Sequence, residues 1–195
     1  MSGFAALRER LEAVLVLVGD GPDLQPGLRL AESLGVGGDV RALGKLEQLE
    51  GILQASDLFF LPSRAESFGL SALEAQACGC PVIGYRAGGL PEVVVDGVTG
   101  LLCPEGEDVC LGSVAAGLLA DRPRYLAMRR AAREHAEQFA ADPIVDRYEE
   151  ALCCLIHDGA CSRAEVARRL CPAASAPDDR ARTAAVCRTA SGGTE

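Results

Sequence analysis

The chain contains 195 residues, and 49% of them are hydrophobic, which is enough to bury the core of one domain. Its 28 acidic residues outnumber its 19 basic residues, so the formal net charge at pH 7 is -9. This charge argues against the basic surface that nucleic-acid binding requires, and we expect no nucleic-acid partner.

Short apolar runs typical of β-strands alternate along the chain with helical patterns. The predicted strands are 14–18, 40–43, 58–61, 81–84 and 100–103. The predicted helices are 24–34, 46–55, 70–78, 90–94, 109–119, 123–139 and 144–152. This alternation predicts an α/β fold, a Rossmann-like parallel sheet with helices on both faces. Ligands of such sheets bind at the carboxyl ends of the strands.

The composition changes near residue 153, where Ala, Arg, Ser, Cys and Pro come to dominate. We therefore predict a folded domain over residues 1–152 and a poorly ordered tail over 153–195. The apolar run at 13–18 is too short for a membrane span, so we expect a protein that does not cross a membrane.

The nine cysteines show neither the even framework of a disulfide-rich domain nor the paired spacing of a zinc site. We expect buried, inert thiols, a reducing cytoplasmic location and no metal. His135 lacks an identifiable catalytic partner, and Arg129, Arg130 and Arg133 are predicted to form a solvated helix face.

The segment 61–75 follows an apolar strand and opens a helix, so free backbone N–H groups and the positive helix end would meet there. That arrangement suits a diphosphate. Gly69 would let the backbone approach a ligand, and Ser67 is a candidate helix cap. Glu66 and Glu74 could accept hydrogen bonds from a sugar and a ribose; alternatively, both are solvated surface acids.

The run Glu66-Ser-Phe-Gly-Leu-Ser-Ala-Leu-Glu74 resembles the E-x7-E signature of retaining glycosyltransferases with the GT-B fold, family 4 in particular. The resemblance covers about residues 12–152, and it is to the carboxy-terminal, donor-binding domain of that family. Further segments stand in the family's order and spacing: Val18-Gly-Asp-Gly-Pro22, Leu43-Gly-Lys45, Ala55-Ser-Asp57, Leu61-Pro-Ser63, Glu74-Ala-Gln-Ala-Cys-Gly79, Pro81-Val-Ile83, Gly88-Gly-Leu-Pro-Glu92 and Asp96-Gly-Val-Thr-Gly100.

The resemblance implies a UDP-sugar as donor substrate, with no other cofactor. It assigns Glu66 as the catalytic residue, which would hold the donor-sugar hydroxyls, and Glu74 to the ribose. Backbone contacts to diphosphate and sugar would come from Phe68, Gly69 and Leu70. The region of the uracil would be bordered by Gly44, Lys45, Gly19 and Asp20. Gly19 and Gly44 have an equally good interpretation as turn residues that close strands.

Within the family, the segments most resemble members that transfer N-acetylglucosamine from UDP to L-malate in bacillithiol biosynthesis, with mycothiol-pathway members a near second. In the family, an amino-terminal domain supplies the acceptor pocket and a catalytic histidine, and an upstream Arg and Lys grip the donor phosphates. This sequence contains no match to those parts. We therefore expect an inactive chain that needs an amino-terminal domain in trans. The alternatives are a non-catalytic interaction module or a family member with another acceptor.

Overall fold

The computed structural model describes residues 1–157, apart from the side chains of residues 143 and 154–157. The strands are β1 Leu15–Leu17, β2 Val40–Ala42, β3 Phe59–Leu61, β4 Val82–Tyr85 and β5 Gly100–Cys103. The helices are α1 Ser2–Arg8, α2 Leu24–Ser33, α3 Glu50–Ala55, α4 Leu70–Ala77, α5 Leu90–Val93, α6 Asp108–Ala120, α7 Arg122–Glu137 and α8 Ala141–His157, with a short 3-10 turn at Gly37–Asp39.

The chain divides into two compact units, Met1–Gln138 and Phe139–Glu195. The first unit holds all five strands and helices α1 to α7, and helix α8 belongs to the second. The predicted tail begins inside α8 and lies outside the described residues beyond residue 157. Its predicted boundary at residue 152 stays a prediction. Within residues 1–157, no helix combines the length and the apolar character needed to cross a membrane.

All recorded strand pairs are parallel, which confirms the predicted α/β class. The five strands form two sheets, whereas the sequence suggested one continuous sheet. The first sheet pairs β1 with β2, and the second has the order β3-β4-β5. Strand β4 lies in the middle of the second sheet and is buried along its whole length, as its continuous apolar sequence predicts.

Helices cover both faces of the β3-β4-β5 sheet, as predicted. On one face, Ile83 of β4 belongs to a core that includes Leu7 of α1 and Leu111 of α6. On the other face, Val82 belongs to a second core with Leu53 of α3. Because neighbouring residues of a strand point to opposite faces, β4 contributes to both cores.

Helices α1 and α6 approach closely at a pair of glycines. A β-carbon built on Gly112 would lie 2.1 Å from the carbonyl oxygen of Gly3, and one built on Gly3 would lie 2.8 Å from that of Asp108. Neither position has room for a side chain, so the glycines set the distance between these two helices.

The prediction that the cysteines are free thiols is wrong for one pair, because Cys103 and Cys110 form a disulfide. Cys103 ends β5 and Cys110 lies in the first turn of α6, and the connecting turn brings their Cα atoms to 6.1 Å, within the usual range. Cys80 is buried as predicted, Cys78 is half-buried and Cys153 is exposed. Burial raises the pKa of the Cys80 thiol to about 12.

Helix α7 departs from its predicted solvated face at Arg129. The guanidinium Nε of Arg129 donates a hydrogen bond to the carbonyl oxygen of Gly79 at 2.8 Å and lies over the ring of Tyr125. Arg130 and Arg133 are exposed, as predicted. The imidazole Nε2 of His135 lies 3.1 Å from the carbonyl oxygen of Val93, so α7 is joined to the neighbouring helices by polar contacts.

Candidate functional site

The turn between β3 and α4 ends at Gly69, which takes the left-handed conformation with φ 97° and ψ 41°. A residue with a β-carbon adopts this conformation at a cost, so glycine suits this position. The carbonyl oxygen of Gly69 accepts hydrogen bonds from the amides of Ala72 and Leu73. No backbone acceptor is recorded within residues 1–157 for the amides of Leu70 and Ser71, which are therefore available to a ligand.

The prediction that Ser67 caps helix α4 is wrong. The cap residue is Gly69, and no side chain makes a capping hydrogen bond to the start of the helix. Ser67 is exposed two residues earlier, because the left-handed turn at Gly69 starts the helix later than the serine suggested. No capping side chain therefore offsets the partial positive charge of the helix dipole at the start of α4.

The side chain of Glu66 lies over the beginning of α4. A β-carbon built on Gly69 would lie 3.7 Å from Cγ of Glu66, and Glu66 is half-buried. Phe68 is 40% exposed and Leu70 is 65% exposed, so the helix start is open to solvent. An acid beside free amides can hold the hydroxyl groups of a ligand whose anionic group the amides bind.

The glycine pair Gly88-Gly89 supports this turn directly, which the sequence interpretation missed. The amide of Gly89 donates a hydrogen bond to the carbonyl oxygen of Glu66 at 2.7 Å. A β-carbon on Gly88 would lie 2.1 Å from that same oxygen, and one on Gly89 would lie 2.4 Å from the carbonyl oxygen of Ser67. The sequence explained these glycines only as the start of α5, whereas they also hold the Glu66 turn in place.

Glu74 is exposed on α4, one turn beyond the free amides. It lines a cavity of about 950 Å³ together with Ser71 and Arg64. Arg64 is a cation in the same turn as Glu66, and the sequence interpretation did not select it. Arg64 could have been selected from its position shortly before the start of a helix, because cations and helix starts both attract phosphate.

The second group of predicted residues lies at the ends of β1 and β2. The amide of Gly19 donates a hydrogen bond to the carbonyl oxygen of Gly44 at 2.8 Å, so these two loops meet; this contact fits both the uracil interpretation and the turn interpretation of the two glycines. Asp20 and Lys45 are exposed beside them. Gly19 also borders a smaller cavity of about 250 Å³. This group belongs to the first sheet and the Glu66 group to the second.

The fold is that of a glycosyltransferase domain. The model of the family described as glycosyl transferases group 1 matches residues 2–135. The chain belongs to this family, which confirms the resemblance seen in the sequence.

Two curated relatives illustrate the range of the family. The N-acetyl-alpha-D-glucosaminyl L-malate synthase of Bacillus anthracis is 43% identical over 150 residues, which cover 76% of this chain and 39% of the synthase. The D-inositol 3-phosphate glycosyltransferase of Mycolicibacterium smegmatis is 42% identical over 145 residues, with 70% and 33% of the two chains covered. The chain therefore spans well under half the length of these relatives.

Solved structures show the same fold. The crystal structure of Anabaena Alr3699/HepE in complex with UDP superposes with a TM-score of 0.71 at 29% identity and covers 77% of this chain and 44% of that protein. The complex of the same protein with UDP-glucose gives a TM-score of 0.70 at 28% identity, with coverage of 77% and 43%. These neighbours have the GT-B fold, so the predicted fold is confirmed.

Proposed function

We propose that this chain is the donor-binding, carboxy-terminal domain of a retaining glycosyltransferase that takes a UDP-sugar. We further propose that the complete enzyme transfers N-acetylglucosamine from UDP to L-malate. The observation that carries the proposal is the open start of α4, where the free amides of Leu70 and Ser71 lie beside the side chain of Glu66. The neighbours crystallised with UDP and UDP-glucose support the nucleotide-sugar class.

In this proposal, the pyrophosphate binds at the start of α4. The amides of Leu70 and Ser71 donate hydrogen bonds to it, and Gly69 leaves space for its approach. The helix dipole contributes roughly 0.3–1 kcal/mol at an exposed helix end. Since the whole chain carries a net charge of -9, this local donor set is needed to attract an anionic ligand, and Arg64 adds a cation that lines the same cavity as Ser71.

The remaining ligand groups are assigned by the family resemblance. Glu66 accepts hydrogen bonds from the donor-sugar hydroxyls, while Phe68 adds a backbone contact and Glu74 holds the ribose. Gly44 and Lys45 border the uracil, with Gly19 and Asp20 nearby. The position of Glu66 over the helix start and the exposure of Glu74 support these two roles.

The reaction would be a front-face displacement that retains the anomeric configuration. The bond between the anomeric carbon and the UDP oxygen breaks as the acceptor oxygen attacks from the same face, and the leaving phosphate helps to deprotonate the acceptor. Glu66 orients the sugar in this step. Most of the rate would come from positioning and from the exclusion of water between two closing domains. The amino-terminal domain that the family resemblance implies would therefore form the second wall of the site, and no separate cofactor would take part.

Titration calorimetry with UDP and UDP-N-acetylglucosamine tests donor binding. We expect saturable heat with the parent chain and an affinity about ten- to a hundredfold weaker for Glu74→Ala, since a hydrogen bond to a charged group contributes roughly 1.5–3 kcal/mol. Glu47→Ala removes an exposed acid outside the site and should bind like the parent. No heat from the parent would leave only the non-catalytic interaction module, whereas saturable heat with equal affinities for Glu74→Ala and Glu47→Ala would contradict the role of Glu74 in holding the ribose.

The acceptor class is tested separately by adding the amino-terminal half of the Bacillus anthracis relative or, in a parallel sample, that of the Mycolicibacterium smegmatis relative, because the acceptor pocket belongs to that half. With UDP-N-acetylglucosamine, we expect glycosylated L-malate with the first half and no glycosylated D-inositol 3-phosphate with the second, because the chain should pair productively only with the half of its own acceptor class. Product with the inositol phosphate alone would replace L-malate as the acceptor while leaving the donor assignment in place. The chain without the added domain should show no turnover.

A further inference from the structure

The disulfide between Cys103 and Cys110 has one buried and one accessible partner. Cys103 ends β5 and is only 1% exposed, whereas Cys110, seven positions later, is half-buried in the first turn of α6. Residues 104–107 between them are exposed, and Val109 is 63% exposed. A small molecule in solution therefore approaches the sulfur of Cys110 more easily than that of Cys103.

The expected location of the protein favours a reversible disulfide over a permanent one. The sequence leads us to expect a reducing cytoplasmic location. Disulfides in that compartment are usually transient and catalytic or redox-sensing, whereas permanent ones belong mostly to secreted proteins. Thiol–disulfide exchange also needs access to one of the two sulfurs, and the half-buried position of Cys110 provides it.

Both ends of the disulfide are connected to Tyr85, the last residue of β4. Cys103 is the strand partner of Tyr85, and its carbonyl oxygen accepts a hydrogen bond from the amide of Arg86 at 2.8 Å. On the other side, the Tyr85 hydroxyl donates a hydrogen bond to the carboxylate of Asp108, which lies in the same first turn of α6 as Cys110. Tyr85 is thus held by β5 and by α6, the two elements that the disulfide joins.

Tyr85 also begins the segment 85–89, which supports the Glu66 turn. The amide of Ala87 donates a hydrogen bond to the carbonyl oxygen of Tyr85 at 2.9 Å, and the amide of Gly89 donates one to that of Glu66 at 2.7 Å. When the disulfide opens, the first turn of α6 is no longer tied to β5, and the side-chain contact that holds Tyr85 is weakened. Because coupling follows contiguous contacts of this kind, the change reaches the Glu66 turn through segment 85–89.

We propose that Cys103 and Cys110 form a site of reversible exchange with low-molecular-weight thiols, and that the disulfide form binds the donor more tightly than the dithiol form. The disulfide restrains the start of α6 relative to β5, which keeps Tyr85 in the position from which segment 85–89 supports Glu66. The effect on affinity rests on the proposed donor site. The exchange itself rests on the cysteine pair and is independent of any sugar or acceptor.

The exchange takes place in two balanced steps. The thiolate of one small thiol attacks Sγ of Cys110, the bond between the two protein sulfurs breaks, and Cys103 leaves as a thiolate that takes up a proton. A second small thiolate attacks the small-molecule sulfur of this mixed disulfide, which releases Cys110 as a thiolate that is protonated in turn. Two small thiols are oxidised to one small disulfide while the protein pair is reduced, and an excess of the small disulfide drives the reverse reaction.

Exchange is tested with glutathione on the full chain, followed by trapping of free thiols with N-ethylmaleimide and peptide mass mapping. We expect a linked Cys103–Cys110 peptide in oxidised glutathione, alkylation of both cysteines in excess reduced glutathione, and return of the link when the buffer is changed back. Two variants test which sulfur reacts. Oxidised glutathione should modify Cys110 in Cys103→Ala about fivefold faster or more than it modifies Cys103 in Cys110→Ala, because access controls the rate.

The coupling to the Glu66 turn is measured in oxidised and reduced samples by two independent readouts. On reduction, hydrogen exchange of the Gly89 amide should become about fivefold faster or more, and calorimetry should show an affinity for UDP that is about fivefold weaker or more. Cys110→Ala should resemble the reduced parent in both buffers. Cys153→Ala removes an exposed free thiol and should respond to the buffers like the parent.

Three results would overturn the proposal: a pair that stays linked in excess reduced glutathione, a pair that never links in oxidised glutathione, or equal Gly89 protection and equal UDP affinity in the two states. Loss of protection along the whole of β4 on reduction would make the disulfide a structural link and would overturn the proposal as well. If Gly89 protection depends on the redox state but UDP binds in neither state, the proposed donor site fails while the exchange site and its coupling to the turn stand.

Discussion

Replacing Gly88 with alanine should destabilise the turn that contains Glu66, because Gly88 lies directly against the backbone of that turn. Gly88 has a φ of +56°, and a β-carbon at this position would lie 2.1 Å from the carbonyl oxygen of Glu66. Forcing a non-glycine residue into the left-handed region costs about 1–3 kcal/mol, and overpacking adds roughly 1–3 kcal/mol. We therefore expect Gly88→Ala to lose about 2–6 kcal/mol of the free energy of unfolding.

Gly35→Ala is the matched control, because Gly35 has a φ of +74° and an added β-carbon would meet nothing within 4 Å. It should show only the backbone cost, about 1–3 kcal/mol. The assays are urea unfolding and calorimetric titration with UDP-N-acetylglucosamine. Gly88→Ala should lower donor affinity about tenfold or more, whereas Gly35→Ala should bind like the parent. Equal stability and equal affinity for the two variants would refute the account of the turn.

Three further predictions concern the packing and the titrating groups. Gly112→Ala should destabilise the fold by roughly 1–3 kcal/mol, because its β-carbon would overlap Gly3. Gly117 lies on the same helix, where an added β-carbon would meet no other atom, so Gly117→Ala should stabilise the fold by up to about 1 kcal/mol. If urea unfolding shows Gly112→Ala to be the more stable of the two variants, the α1–α6 contact is contradicted. Iodoacetamide at pH 8 should label the exposed Cys153 and spare Cys80, which is buried and whose thiol has a pKa of about 12. Peptide mass mapping checks this, and early labelling of Cys80 in the folded chain would show that it is not buried. Burial and the Asp108 hydrogen bond raise the pKa of Tyr85 from 10.0 to about 12, so the stability that this group contributes is complete below about pH 10 and is lost as the pH rises toward 12. Tyr85→Phe should flatten that decline in urea unfolding between these pH values, and an unchanged slope would show that Tyr85 does not contribute to it.

The sequence predicted the class of the fold because its strongest signals are local. The buried strand β4 is a continuous apolar run, and Gly69 precedes a helix pattern whose start the structure places at Leu70. The segment 61–75 could be recognised as a strand-to-helix turn for the same reason. Its acids and glycine are close in sequence, so their proximity in space required no knowledge of the tertiary structure.

The features that the sequence did not predict depend on contacts between distant segments. Gly88 packs against Glu66 although 21 residues separate them in the sequence, and a role at the start of α5 was enough to explain this glycine without that contact. In the sequence, Arg129 has the same charged surroundings as Arg130 and Arg133. In the structure, the turn at Gly79 brings a backbone carbonyl oxygen within hydrogen-bond distance of Arg129. The division into two sheets could not be predicted either, because the sequence of an apolar strand does not indicate which strand pairs with its second edge.

The most direct test of the central claim is to follow backbone amide signals of the chain by NMR while UDP is added. The account predicts that the amides of Leu70 and Ser71 shift first and most strongly, because they are the free donors at the open start of α4. The amides of Gly112 and its neighbours on α6 should not move. If UDP leaves Leu70 and Ser71 unchanged, or shifts only residues remote from α4, the helix start is not the phosphate site.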